Sequence, residues 1–428
     1  MKTTDQAVET TLSLLEDLFQ DAQIRCFAVR LWDGTVWQPQ PAEEPKFTLV
    51  LQHPGALRNM CLPPTELNWA EAYIYNDYDV EGPIYDAFPF AMQFMYRKWG
   101  PVEQMRYGAR LLSLPKGGQP RAKDPTLKLK GSLHSKDRDR QVVTYQYDQS
   151  NEFYSLFLDS RMVYTGAYFA TPDEDLETAQ GRKLEYLCRK LDLRPGQRLL
   201  DIGCGWGGLS IYAAQHYGVD AYGVTLSQHQ AEFAQRRIRE EGLTDRCRVE
   251  VRDYRDVRGT SEYDKIAGIG MLEHVGAKQI PNFFKQVWQL LKPGGLMLNH
   301  IISSNRDLQS NSEATFANRY GSPDGEMIPI TTTLRIMEQQ VGFEIRDVEC
   351  IRDHYTLTSR LWLRHLEAHA AEARAITSEE IYRIWRLLLA GLAYTCETGR
   401  NNAYHVLLAK PDEHGNSHLP LTRADWYR

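Results

Sequence analysis

The stretch Leu199-Leu200-Asp201-Ile202-Gly203-Cys204-Gly205-Trp206-Gly207-Gly208 constrains the fold more than any other part of this chain. An apolar run ends in an acid and four glycines follow. A helical pattern then begins, with Leu209, Ile211, Tyr212, Ala213 and Ala214. This reads as strand, tight turn and helix N-terminus. The glycines let the backbone approach a ligand, and the open N–H groups of the first helical turn face it. By itself such a turn serves a dinucleotide, a nucleoside or only a close strand–helix contact.

The flanking sequence repeats the alternation. Strands are expected at 220–224, 247–251, 264–269, 296–302, 343–348 and 403–409. Helices are expected at 174–192, after Ser227 as N-cap, and at 281–292, 331–341, 357–371 and 378–396. The last has Thr377 and Glu380 as a capping box. The pattern predicts an α/β chain with a doubly wound, mainly parallel, Rossmann-like sheet. Ligands of such sheets lie beyond the strand carboxyl ends, where Asp253, Tyr254, Glu273 and His300 fall.

Residues 1–100 read as a small α+β domain. It has a helix at 8–20, a hairpin at Asp33-Gly34, a strand at 47–51 and helices at 66–75 and 85–98. Residues 101–144 read as a basic linker. From Arg97 to Arg140 there are twelve Lys/Arg against four acids. Such a run is a solvated linker, or it is drawn to an anionic lipid surface. The large domain spans 145–410, and 411–428 read as a loose polar tail. The net charge of −6 provides no global basic field for nucleic acid. Seven scattered cysteines without a Cys-x-x-Cys pair point to reduced thiols, not to a disulfide frame or a metal site. With no signal-like start and no apolar run of spanning length, the expected location is cytoplasmic, with peripheral contact at the inner membrane face.

A dinucleotide site needs an acid at the end of the second strand for the ribose hydroxyls. That end reads Gly223-Val224-Thr225-Leu226-Ser227. The acid is instead Asp201, before the glycines, where it would repel a pyrophosphate and suit a cation. S-adenosylmethionine carries an ammonium and a sulfonium and no phosphate. Asp253 after the third strand and Lys292-Pro293-Gly294-Gly295 before the fifth also suit a class I methyltransferase sheet.

These residues, with Tyr147-Asp148, Asn151, Tyr164–Phe169, Asp253–Asp256, Gly270–Gly276 and His300, resemble the cyclopropane fatty acid synthase family of lipid methyltransferases. The resemblance covers about 145–410 and, more weakly, an N-terminal domain linked to lipid handling and a homodimer. It implies that Tyr164, Thr165, Gly203, Gly205, Gly207, Thr225, Ser227, Gln230 and Tyr254 hold the cofactor. It implies a bicarbonate ion as general base, on Glu273, His300, the Ile302 backbone and Tyr355. The substrate would be an unsaturated phospholipid acyl chain, in a channel that Phe153, Phe157, Tyr168 and Phe169 are expected to line. Cyclopropane formation would then follow methyl transfer to the double bond. One departure stands out. The family reads Tyr-Ser-Cys-Ala-Tyr where this chain reads Tyr164-Thr165-Gly166-Ala167-Tyr168. That cysteine contacts the bicarbonate. Gly166 lacks the contact, removes bulk beside the acceptor and opens a second outcome, a methylene or methyl branch. A soluble small-molecule acceptor and a binding protein without chemistry are the other readings.

Overall fold

The computed structural model describes residues 4–427 apart from 20–22, 96, 98, 119–128, 148 and 305–314. Asp148 and the basic residues Lys98, Arg121, Lys123 and Lys128 therefore lie outside the described residues. Two units are distinct. The first comprises Met1–Thr126, Ala314–Gly321 and Ala370–Tyr394, and the second comprises Leu127–Glu313, Ser322–His369 and Thr395–Arg428.

The first unit carries strands β1 (Phe27–Arg30), β2 (Val36–Trp37), β3 (Phe47–Leu51) and β4 (Tyr78–Glu81), in the order β2-β1-β3-β4. The Asp33-Gly34 hairpin forms as expected, pairing Val29 with Trp37. The linker expectation is corrected. Pro101–Ser113 is a helix of this unit, with Pro101 in its first turn and Glu103 accepting from Gly100 N at 2.8 Å. Its Tyr107 and Leu111 are buried, and Arg110 pairs with Asp17. A second helix, Lys136–Tyr147, belongs to the other unit. In the first helix Tyr107 and Leu111, four residues apart, seat one face despite the charge run, and in the second Val142 is the buried residue. The expected capping box is corrected: the N-cap moves to Ser378, whose Oγ accepts from Ile381 N at 3.2 Å, and Ile381 cannot return the bond, while the Thr377 hydroxyl donates back to Ala373 O.

The second unit holds β5 (Arg198–Ile202), β6 (Asp220–Thr225), β7 (Cys247–Val251), β8 (Tyr263–Ile269), β9 (Leu291–Ser304), β10 (Glu344–Cys350) and β11 (Asn401–Ala409). Their order is β10-β11-β9-β8-β5-β6-β7. The five strands from β9 to β7 in this order are parallel, and β11 and β10 are antiparallel at one edge. Alternation along β5 sends Leu199 to a core with Leu187 and Ile211 and Leu200 to a core with Phe283 and Val287. Burial on both faces explains why these strands read as continuous apolar runs. The tail is also corrected. Trp426 is buried in the core with Leu187, and Arg423 pairs with Asp347 at 2.8 Å.

Candidate active site

The glycine turn follows β5 as the sequence predicts. Gly203, Gly205 and Gly207 all have positive φ, and Gly207 is the N-cap of the helix Gly208–Tyr217. At Gly207 a Cβ would also lie 2.9 Å from Ala234 Cβ, so only glycine fits. Around the turn two adjoining hollows open. One is lined by Thr225, Gln230, Tyr254, Gly270 and Met271, the other by Tyr164, Thr165, Lys183, Asp201 and Trp206. Gly203 and Gly205 border both.

Asp201 is buried and accepts from Ser210 Oγ at 2.8 Å, and burial pushes its carboxyl up to about 6. Thr225 donates to Gln230 Oε1 at 2.7 Å, and Ser227 caps the helix Gln228–Glu240. Tyr254 meets Phe283 edge-on at 5.2 Å. Asp253 does not line either hollow. Its carboxylate takes the Arg255 guanidinium at 2.7 and 2.8 Å and so fixes the short turn that carries Tyr254.

A second cluster lies at the carboxyl ends of β8 and β9. Glu273 Oε1 accepts from Ile302 N. Its Oε2 is shut off from solvent with no hydrogen-bond partner among the described residues, although the residue as a whole is half-buried. Burial lifts this carboxyl to about 7. His300 is fully buried, its Nε2 also lacks a partner among the described residues, and burial holds it well below 6.5. Tyr355 meets His300 edge-on at 5.7 Å. Its phenol is pushed far up, first by burial and then by Glu273. The expectation at Gly166 changes here. A Cβ on Gly166 would sit 2.6 Å from Tyr355 Cδ2, so the Tyr355 ring takes up the room that a side chain at 166 would need.

The family model of mycolic acid cyclopropane synthetase matches residues 134–406. The chain belongs to that family. It is 34% identical over 94% of its length to a probable fatty acid methyltransferase of Pseudomonas putida, covering 96% of that protein. It is 36% identical over 87% of its length to a probable fatty acid methyltransferase of Mycobacterium tuberculosis, covering 89% of it. A mycolic acid cyclopropane synthase solved with S-adenosylhomocysteine and CTAB superposes with a TM-score of 0.59. It is 30% identical, over 63% of this chain and 97% of that one. The chain is thus an S-adenosylmethionine-dependent lipid methyltransferase of the cyclopropane synthase type, on a class I methyltransferase fold.

Bicarbonate does not fit this synthetase-family site. The Ile302 N–H is donated to Glu273, and Gly166 offers no side chain. Of the four implied contacts the Ile302 N–H is taken, and the family's cysteine has no counterpart, so Glu273 and His300 remain as groups that can take a proton. The four rings expected to line an acyl channel line neither of the two hollows. Phe153 and Phe157 are fully buried in an aromatic cluster with Tyr154 and Tyr164. Tyr168 is stacked between Tyr186 and His354, and Phe169 packs on His354. Lys183 escapes the sequence reading. It is buried, donates to Thr165 Oγ1 at 2.9 Å, and burial lowers it to about 8. Its helix, Leu176–Lys190, places it on the same buried face as Ala179, Gln180, Leu184 and Leu187, and that periodicity was the available signal.

Proposed function

We propose that this chain adds a methyl group from S-adenosylmethionine to the double bond of an unsaturated phospholipid acyl chain. The observation that carries the reading is a pair of buried, unpartnered atoms, Glu273 Oε2 and His300 Nε2, set among aromatic rings. S-adenosylmethionine supplies an electrophilic methyl on a positive sulfonium. Tyr254 would flank its adenine, Gln230 and the Gly203–Gly207 turn its ribose, and Asp201, Lys183 and Thr165 its amino acid end.

An alkene has no proton to give up before it attacks. Its π electrons take the methyl and leave a carbocation, which water would trap. The acceptor site must therefore be dry, with π faces that tolerate positive charge. Tyr147, Tyr164, Tyr355 and Trp362 form such a wall, with Tyr164 and Trp362 centroids 5.1 Å apart. A base must then remove one proton, and Glu273 and His300 are poised for that. Loss from the added methyl closes a ring. Loss after a hydride shift gives a methylene branch. The branch is the second reading, because Gly166 offers no side chain where the family has its cysteine, and the Tyr355 ring takes up that room.

Among the described residues no helix is long and apolar enough to cross a membrane. Contact with lipid would use the first unit's helix Pro101–Ser113. Val102, Met105 and Leu112 are exposed on one side of it, and the exposed cations Arg106 and Lys116 accompany them, which suits an anionic bilayer surface. The test is incubation of protein and S-adenosylmethionine with dioleoyl phosphatidylglycerol vesicles, followed by mass spectrometry of the fatty acid methyl esters. A one-carbon gain supports the reading, and fragmentation separates ring from branch. No gain on any unsaturated lipid, with turnover on a soluble acceptor, would replace it.

A further inference from the structure

Behind His300 a buried polar row crosses three strands. His300 on β9 is the register partner of His405 on β11, which is the partner of Glu349 on β10. His300 Nδ1 lies 3.2 Å from His405 Nε2, and both side chains are fully buried. His405 Nδ1 lies 3.8 Å from Glu349 Oε2, too far for a hydrogen bond, and has no hydrogen-bond partner of its own among the described residues. Glu349 accepts from the Tyr186 hydroxyl at 2.6 Å and from Tyr168 at 3.0 Å, pairs with Lys190 at 2.7 Å, and is partly exposed.

The protonation pattern of this row follows from one end. An ionised carboxylate only accepts, so His405 faces it with Nδ1–H. His405 Nε2 is then a bare acceptor, and His300 must present Nδ1–H to it. That leaves His300 Nε2 as a free lone pair, and with His405 Nδ1 it is one of the two ring nitrogens of the row without a hydrogen-bond partner among the described residues. The surrounding charges agree. Burial opposes ionisation of Glu349, but His405 and the Lys190 ammonium hold it well below the usual carboxylate range. Burial lowers both imidazoles, His405 to about 4, and the nearby Lys183 and Lys190 add to this. Tyr355 and Tyr186 are the other titratable groups packed on the two rings.

We propose that Glu349, His405 and His300 form a proton relay that keeps His300 Nε2 a free base toward the acyl chain and conducts the substrate's lost proton outward. This rests on the lipid methyl-transfer reading. A C–H bond of the alkylated cation breaks and its electron pair closes the ring or the new double bond. The proton goes to His300 Nε2. His300 passes its Nδ1 proton to His405 Nε2, and His405 passes its own Nδ1 proton to the Glu349 carboxylate. Glu349 releases one proton to solvent. After the product leaves, water at the open site takes the Nε2 proton of His300, one proton re-enters through Glu349 to His405 Nδ1, and His405 returns its Nε2 proton to His300 Nδ1, so the starting tautomers are restored and each turnover releases one proton net. His405 and Glu349 are positioning residues, because neither touches substrate.

His405→Gln in the full chain tests this, since glutamine can accept from His300 but cannot carry a proton. Turnover on dioleoyl phosphatidylglycerol vesicles should fall about 100-fold, with the low-pH limb of the kcat profile changed and S-adenosylhomocysteine affinity retained. Unchanged kcat and pH profile would overturn the relay. Nitrogen-15 histidine spectra of the unaltered protein give an answer independent of the variant's folding. Nδ1–H on both His300 and His405 supports the relay, and Nε2–H on His300 overturns it. If the unaltered protein alkylates no lipid, the function reading fails while the tautomer spectra still judge the relay.

Discussion

Replacing Glu273 by glutamine probes the chemistry of the site and its cost to the fold together. Glutamine keeps the shape, and its carbonyl oxygen can still accept from Ile302 N. What it removes is a buried ionisable group. The folded carboxyl titrates at about 7 in place of its ordinary 4.5, chiefly because burial disfavours its charge. Between these values the unfolded chain has released the proton and the folded chain still holds it. Stability of the unaltered protein therefore falls as pH rises through this window. At about 1.4 kcal/mol per pKa unit the full effect is about 3 kcal/mol, an upper figure for a half-buried residue. Glutamine has no such loss. The variant's stability relative to the unaltered protein should rise by about 3 kcal/mol from pH 4 to pH 8. Denaturant titrations of both proteins across that range measure it. Activity should vanish while S-adenosylhomocysteine binding stays nearly intact. Parallel stability curves would refute the buried, uncompensated carboxyl, and loss of cofactor binding would make Glu273 a cofactor or structural residue.

Three other outcomes follow from the same geometry. Gly166→Ala drives a Cβ to within 2.6 Å of the Tyr355 ring, so it should cost about 1–3 kcal/mol in denaturant titration and shift the ratio of ring to branched product. Lys183→Met removes the 2.9 Å bond to Thr165, and calorimetry should show S-adenosylhomocysteine binding weakened about 10-fold while the melting temperature holds. Exchanging Arg106 and Lys116 for glutamine should weaken sedimentation with anionic vesicles at low salt and leave binding to neutral vesicles unchanged.

The sheet was legible because its signals are local. Leu199–Gly208 states strand, turn and helix within ten residues, and later strands carry their own apolar runs, as at 296–298 and 406–409, or alternate, as at 247–251. Ser227 could be read as a cap, since its Oγ meets a backbone N–H three residues on. The polar partners of the site were not legible. His405 lies 105 residues from His300, and strand register brings them together, while Glu349 lies 159 from Lys190, which comes from a helix packed on the sheet. Lys183 resembles any helix lysine until its helix is packed. Gly166 was noticed in the sequence, but what fills its space, Tyr355, comes from a helix nearly two hundred positions later. The tail looked loose because its composition is polar. One tryptophan, Trp426, and one arginine, Arg423, are enough to seat it.

The first unit is not contiguous in the chain, and this orders its birth on the ribosome. Arg383, from the helix Glu379–Glu397, is buried in it and donates to the carbonyls of Tyr73 and Tyr78, and to Asn76 and Asp79. Glu71 likewise takes the Tyr320 hydroxyl at 3.1 Å. A nascent chain of 126 residues has neither partner and leaves those polar groups without their final bonds. The amino-terminal sheet therefore waits, incomplete, until most of the methyltransferase sheet has been synthesised. A library of truncations would show no protected amino-terminal fragment, and the two units would mature late and nearly together.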